Sequence, residues 1–235
     1  MPTRDELLDG LRGGLIVSCQ AYPGEPLHGP VHMTAMARTV VAAGAAGVRI
    51  NGPDDVRAVR AAVDVPLIGL WKDGDDGVYI TPTLRHALTV ASCGADIVAL
   101  DATGRARGDG RDLAATVGEF HRRTGALVMA DVATFDEGVR AAEAGADIVG
   151  TTLSGYTGRA ARPEGPDLDL VEALAARLPV PVFAEGRIAT PAHAATALER
   201  GAWSVVVGGA ITRPGQITAG FTGALSSRGS RRAGG

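Results

Sequence analysis

The chain is poor in the residues that staple small secreted folds or bind metals in recognisable sets. Its two cysteines, Cys19 and Cys93, are too few for a disulfide framework and lack metal-ligand spacing. The five histidines, His28, His32, His86, His121 and His193, fall in the first long loop or in helical runs, where surface and packing roles prevail. Neither Asp101 nor Asp131 has a histidine or second carboxylate at ligand spacing, so a metal-free site is expected. Aromatic residues are sparse, at 4%. Charge of one sign is not in excess either: a net charge of -3 argues against a nucleic-acid or anionic-membrane surface, while leaving room for a local basic pocket that holds an anion. No apolar run approaches membrane-spanning length, and the opening MPTRDELLDG is charged, without an apolar signal segment. A cytoplasmic protein is expected. Lysine is present only once, at Lys72.

Glycine and small apolar residues are plentiful, with 33 glycines and a hydrophobic fraction of 46% over 235 residues. That is ample core for one domain. The most regular feature is a junction of Gly-Ala leading into an apolar run, at Gly44-Ala45, Gly94-Ala95, Gly145-Ala146 and Gly201-Ala202, spaced 50, 51 and 56 residues apart. Each junction closes an Ala-rich helical run and opens a strand: residues 48–50, 97–100, 148–150 and 205–207. Between the junctions lie four further apolar strands, at 14–18, 66–70, 126–130 and 180–184, whose continuous apolar character suits parallel strands buried on both faces. Helical runs follow each strand, with hydroxyl caps read at Thr81-Pro82, Thr134 and Thr190-Pro191. Four double strand-helix units in tandem predict a single (β/α)₈ TIM barrel over residues 1–225. The last ten residues, SSRGSRRAGG, lack apolar periodicity and are expected to form a disordered tail.

A barrel of this kind carries its chemistry at the C-terminal ends of the strands. Those positions are unusually polar: Cys19-Gln20, Arg49 to Asn51, Lys72, Asp101, Asp131, Thr151-Thr152, Glu185 to Arg187, and Gly208-Gly209. Lys72 follows the apolar run IGLW; it is either a solvated loop lysine or an amine tuned for proton transfer or Schiff-base chemistry, which arginine cannot supply. Glu185 ends the seventh strand, diametrically opposite the third, so the two side chains are placed to face one small ligand from both sides; the alternative is a simple ion pair of Glu185 with Arg187 or Arg49. Gly208-Gly209, running towards Arg213, and Gly186 fit the phosphate cradle that barrels build after the seventh and eighth strands, or else tight turns alone. Asp131 orients Lys72 or a sugar hydroxyl, or caps a helix. Gln20 and Asn51 suit sugar or amide hydrogen bonds, or stabilise turns.

Taken together, the segments GLIVSCQAYPGEPL, GVRINGPDDV, LIGLWK, YITPT, ADIVALDAT, MADVAT, GTTLSGYT, FAEGRI and VVVGGAITRP resemble the N-acetylmannosamine-6-phosphate 2-epimerases, in family order from about residue 11 to 221. The resemblance implies a TIM barrel, working without metal or cofactor, that interconverts N-acetylmannosamine 6-phosphate and N-acetylglucosamine 6-phosphate in sialic acid or amino-sugar catabolism. It implies Lys72 and Glu185 as the catalytic pair, Gln20, Arg49, Asp131, Thr152 and Arg187 at the substrate, and Gly186, Gly208, Gly209 and Arg213 at the phosphate. It also suggests a homodimer. Two departures stand out: the segment DGDDG after Lys72 lacks the basic and aromatic residues common there, and Ile50 stands where a small residue is usual. Two rival readings are a Schiff-base aldolase acting through Lys72 on a phosphorylated keto sugar, and a non-catalytic sugar-phosphate binding protein.

Overall fold

The computed structural model describes residues 3–74, 77–158 and 164–232, with side chains placed as far as residue 226. In chain order the elements are α1 (Arg4–Leu11), β1 (Leu15–Cys19), α2 (Pro30–Ala42), β2 (Gly47–Asn51), α3 (Pro53–Arg60), β3 (Leu67–Leu70), α4 (Leu84–Ser92), β4 (Ile97–Asp101) and α5 (Leu113–Arg123). The second half runs β5 (Leu127–Asp131), α6 (Phe135–Glu143), β6 (Ile148–Gly150), α7 (Leu168–Arg177), β7 (Val182–Glu185), α8 (Pro191–Glu199), β8 (Ser204–Val207), α9 (Gly209–Thr212) and α10 (Pro214–Arg232). The strands pair in parallel in sequence order, and β8 closes on β1, giving the expected (β/α)₈ barrel. Among the described residues no helix is long and apolar enough to cross a membrane.

The repeated Gly-Ala junction has a conformational cause. Gly44, Gly94, Gly145 and Gly201 all have φ between 91° and 99°, the left-handed region in which a side chain is strained. At three of the four, the following alanine N–H reaches back five residues to a helix carbonyl: Ala45 to Val40, Ala146 to Ala141 and Ala202 to Ala197. This is the Schellman ending, which satisfies orphan carbonyls and turns the chain into the next strand.

Inside the barrel Ile16, Ile68, Ile97, Met129, Ile148, Phe183 and Val206 form one packed cluster. Its floor is a helix that the repeat pattern did not reveal. α1 drives Leu7, Leu8 and Leu11 into the N-terminal end of the barrel, and the Trp203 indole N–H donates to the Leu8 carbonyl at 2.8 Å. A second cluster, outside the strands, packs residues such as Val17, Val48, Val98 and Val128 beneath the helices.

One local expectation is corrected. The cap of α4 is Thr83, which accepts the His86 N–H, and not Thr81. Pro82 bars Thr81 from helical backbone, and Thr81 takes φ 48° instead. The segment from 226, expected as a tail, falls on the last part of α10, which ends at Arg232, and on residues 233–235, which lie outside the described part.

Candidate active site

At the C-terminal mouth of the barrel is a cavity of about 810 Å³ whose wall includes Gln20, Arg49, Lys72, Thr152, Glu185, Gly186, Arg187, Gly208, Gly209 and Arg213. Ten of the eleven positions expected at the site thus meet in one place. The eleventh, Asp131, lies just beneath, fully buried.

The floor of the cavity is an ion cluster centred on Arg49, only 1% exposed at the inward face of β2. Its guanidinium donates to both Asp131 oxygens, at 2.6 and 3.2 Å, and its Nη1 also reaches Thr152 Oγ1 at 3.3 Å and the Glu185 carboxylate. Thr152 in turn donates to Asp131 at 2.6 Å and lies 3.1 Å from Glu185 Oε2. Burial opposes the charge on Arg49, but the two carboxylates outweigh it and raise its pKa further. Asp131 is thus bound to Arg49 and Thr152, and the cap of α6 after it is Thr134. One guanidinium cannot neutralise two carboxylates, and Glu185 bears the consequence. Its burial, with the nearby Asp131 charge, outweighs the pull of Arg49, Thr152 and Lys72 and pushes its carboxyl up to about 7. Such a group exchanges a proton readily near neutral pH.

Gly150 makes room for this cluster. A Cβ there would collide with Met129 Cε and stand 3.2 Å from Thr152 Oγ1 and 3.3 Å from Asp131 Oδ1.

Lys72 is held by its backbone. Its N–H donates to Asn51 Oδ1 at 2.8 Å, and it bridges antiparallel to Ile80 on the returning chain. Behind it Thr81, in its strained left-handed conformation, donates its N–H to the Trp71 carbonyl at 2.8 Å and its hydroxyl to Ala99 O at 2.6 Å, and accepts the Trp71 N–H at 3.1 Å. A fourth bond joins these three, because the Arg107 guanidinium donates to the Thr81 carbonyl. Strain of this kind persists only where surrounding bonds over-determine it, and here they fix the end of β3 that delivers the amine. Asp73, next in sequence, is anchored to the buried His86 at 2.9 Å. Residues 75 and 76 of the atypical loop lie outside the described part.

The amine itself points to a residue that sequence reasoning missed. Lys72 Nζ is 3.3 Å from the Tyr22 hydroxyl and 5.1 Å from its ring centroid. Tyr22 sits in the loop between β1 and α2; the only sequence signal was an aromatic in a chain with three tyrosines. Tyr79 and Gln216 also line the cavity unannounced.

On the far wall Gly186, Gly208 and Gly209 present backbone; in the short α9 the Ile211 and Thr212 N–H groups donate to the Gly208 carbonyl at 2.9 and 3.0 Å, and Gly209 and Ala210 head the turn. Arg213 closes this side, paired with Glu25 and stacked 5.0 Å from the Tyr22 ring centroid. Arg187, on the cavity wall, also ties two loops together: its Nε donates to Gly165 O at 2.6 Å, Nη1 donates to Ser154 O, and the guanidinium lies 5.5 Å from the Tyr156 ring centroid. Gln20 donates to Ser18 Oγ at 2.8 Å and leaves its buried Oε1 with no partner among the described residues. Asp101, polar but outside the cavity wall, is held by Thr103 and Arg105. Among the described residues no group of three or more His, Cys, Asp or Glu side chains is arranged to hold a metal ion.

The mouth of this (β/α)₈ barrel thus brings a carboxyl and an amine to one cavity, the arrangement of an acid-base enzyme. The chain belongs to the N-acetylmannosamine-6-phosphate epimerase family: the family described as "Putative N-acetylmannosamine-6-phosphate epimerase" matches residues 33–227. Two relatives described as "Putative N-acetylmannosamine-6-phosphate 2-epimerase" are similar over nearly their whole lengths. One, from Cutibacterium acnes, is 53% identical over 223 residues, covering 94% of this chain and 97% of its own. The other, from Caldanaerobacter subterraneus, is 46% identical over 230 residues, covering 95% of each. The solved N-acetylmannosamine-6-phosphate 2-epimerase from Clostridium perfringens matches with a TM-score of 0.90 at 41% identity, over 95% of this chain and 98% of that one.

Proposed function

We propose that the chain interconverts N-acetylmannosamine 6-phosphate and N-acetylglucosamine 6-phosphate by removing and returning the proton at C2, as a step of sialic acid or amino-sugar catabolism in the cytoplasm. The observation that carries this reading is that Lys72, just past the end of β3, and Glu185, at the end of β7 across the barrel, line one cavity, with the Glu185 carboxyl pushed up to about 7. The sugar phosphate is held by the backbone of Gly186, Gly208 and Gly209 with Arg213. Ring opening to the aldehyde acidifies C2, and Lys72 takes the proton. Glu185 either protonates the opposite face or assists ring opening while Lys72 returns its own proton. Arg49, its charge secured by Asp131 behind it, stabilises the enolate oxygen on C1, since a fixed guanidinium needs no reorganisation as charge develops. The free Oε1 of Gln20 accepts a hydroxyl or acetamido N–H, with Thr152 beside it.

The working unit is a homodimer in this reading. Support comes from α10, which is exposed through residue 226 apart from a half-buried Ile217, and presents Phe221 and Leu225 at 71% and 70% exposure. Apolar side chains so placed suit a second copy.

Incubation with N-acetylmannosamine 6-phosphate in deuterated water, followed by NMR, tests the reaction. The expected product is the C2 epimer carrying solvent deuterium at C2. Carbon-carbon cleavage with a borohydride-trapped Lys72 adduct means an aldolase, and binding without turnover or C2 exchange means a binding protein; either result overturns the reading.

A further inference from the structure

The phosphate subsite contains an anion of its own. Glu25, in the ten-residue connection between β1 and α2, pairs with Arg213, the guanidinium assigned above to the sugar phosphate. Its second carboxylate oxygen accepts the Tyr22 N–H at 2.8 Å, and its own N–H donates to the Tyr22 carbonyl at 3.0 Å. Glu25 and Tyr22 are thereby one rigid turn. The Tyr22 ring meets two of the site's cations, the Arg213 guanidinium 5.0 Å and Lys72 Nζ 5.1 Å from its centroid, and its hydroxyl touches Lys72 Nζ at 3.3 Å. Gly24 and Gly29, at φ 89° and 109°, flank Glu25 in this connection.

We infer that Glu25 gates the phosphate subsite: its carboxylate and the substrate phosphate compete for Arg213, and only a ligand that displaces Glu25 releases Tyr22 from Lys72. The inference rests on the reading of Arg213 as a phosphate contact. The energetics suit a gate. Both partners are about one-third exposed, 32% and 35%, so the pair is worth at most about fivefold in an equilibrium. A dianion that also gains backbone N–H donors at Gly208 and Gly209 outcompetes it. An unphosphorylated sugar has no group to place on Arg213, so the turn stays closed over the amine. Selectivity for the phosphorylated substrate then arises from a contact that must be broken as well as from contacts that are made.

The test uses Glu25→Gln, which keeps an oxygen for the Tyr22 N–H while removing the charge. Inorganic phosphate, titrated calorimetrically at constant ionic strength, is expected to bind this variant about two- to fivefold more tightly than wild type. Lys72 is the only lysine in the chain, so acylation by an amine-directed ester, read by mass spectrometry on the Lys72 peptide, reports one side chain. In the absence of phosphate it is expected to proceed faster in Glu25→Gln than in wild type. An unchanged phosphate affinity or an unchanged labelling rate in this variant overturns the gate. Arg213→Ala separates the two readings. Strong loss of phosphate binding there keeps the phosphate subsite whatever Glu25 does, whereas undiminished binding removes Arg213 from that subsite and the gate with it.

Discussion

Glu185→Gln is expected to make the protein more stable and catalytically inert, and the size of both effects follows from the ion cluster. A carboxyl that titrates at 4.5 in the unfolded chain and at about 7 in the fold binds its proton more tightly when folded. Wild-type stability from this group is therefore fully present below pH 4.5 and is lost as pH rises through 7. The loss accrues at about 1.4 kcal/mol per pH unit and reaches about 3 kcal/mol once the group is ionised. Glutamine resembles the protonated acid: its carbonyl still accepts from Arg49 and Thr152, while Asp131 keeps its two bonds to the guanidinium. The variant should match wild type near pH 4.5 and exceed it by about 3 kcal/mol at pH 8.5, a Tm gain of roughly 5 to 10 °C for a chain of this size. Denaturation of both proteins at the two pH values measures the difference, and histidine titrations common to both cancel. Epimerisation should fall by about 10² to 10⁴ fold, the usual loss for a positioned acid-base group. A variant that is less stable than wild type at pH 8.5 by the same margin as at pH 4.5 refutes the argument that an ionised Glu185 burdens the fold. Wild-type turnover in Glu185→Gln removes it from the chemistry.

Lys72→Met should fold normally, because the bond that holds this position uses its backbone N–H to Asn51. It should bind inorganic phosphate yet lose about 10² to 10⁴ fold in kcat; near-wild-type turnover eliminates Lys72 as the base. Gly150→Ala places a methyl against Met129, Thr152 and Asp131. A loss of about 1 to 3 kcal/mol in denaturant unfolding is expected, together with reduced kcat as the cluster under Glu185 shifts, and an unperturbed variant shows that the floor of the site is softer than its geometry implies.

Much of the architecture was legible without coordinates because it is written in local rules. A glycine that alone tolerates φ near 95° after each helix, followed by an apolar strand, recurs four times, and that rhythm predicts the barrel. The barrel rule in turn sends the eye to strand ends, where Lys72 and Glu185 stand. α1 escaped because it belongs to no repeat; its Leu7, Leu8 and Leu11 look like any short amphipathic turn until the floor of the barrel is there to receive them. Thr81 was misread for a related reason, since a hydroxyl before proline fits a cap equally well whether or not the backbone there is helical.

The polar partnerships belong to the tertiary structure alone. Arg49 is 82 residues from Asp131 and 136 from Glu185, and Arg213 is 188 from Glu25. No periodicity links such positions; closure of β8 on β1 brings them together, and burial then decides their chemistry. The sequence by itself determined that an amine and a carboxyl would face each other across a barrel mouth, because strand order and side-chain alternation are local properties carried round a closed ring. Which carboxylate is secured by Arg49, which is left to exchange a proton near neutrality, that Arg187 ties loops, and that Tyr22 and Glu25 stand over Lys72 and Arg213 were decided only by the fold. Desolvation and charge pairing depend on every neighbour within a few ångströms, and those neighbours come from all parts of the chain.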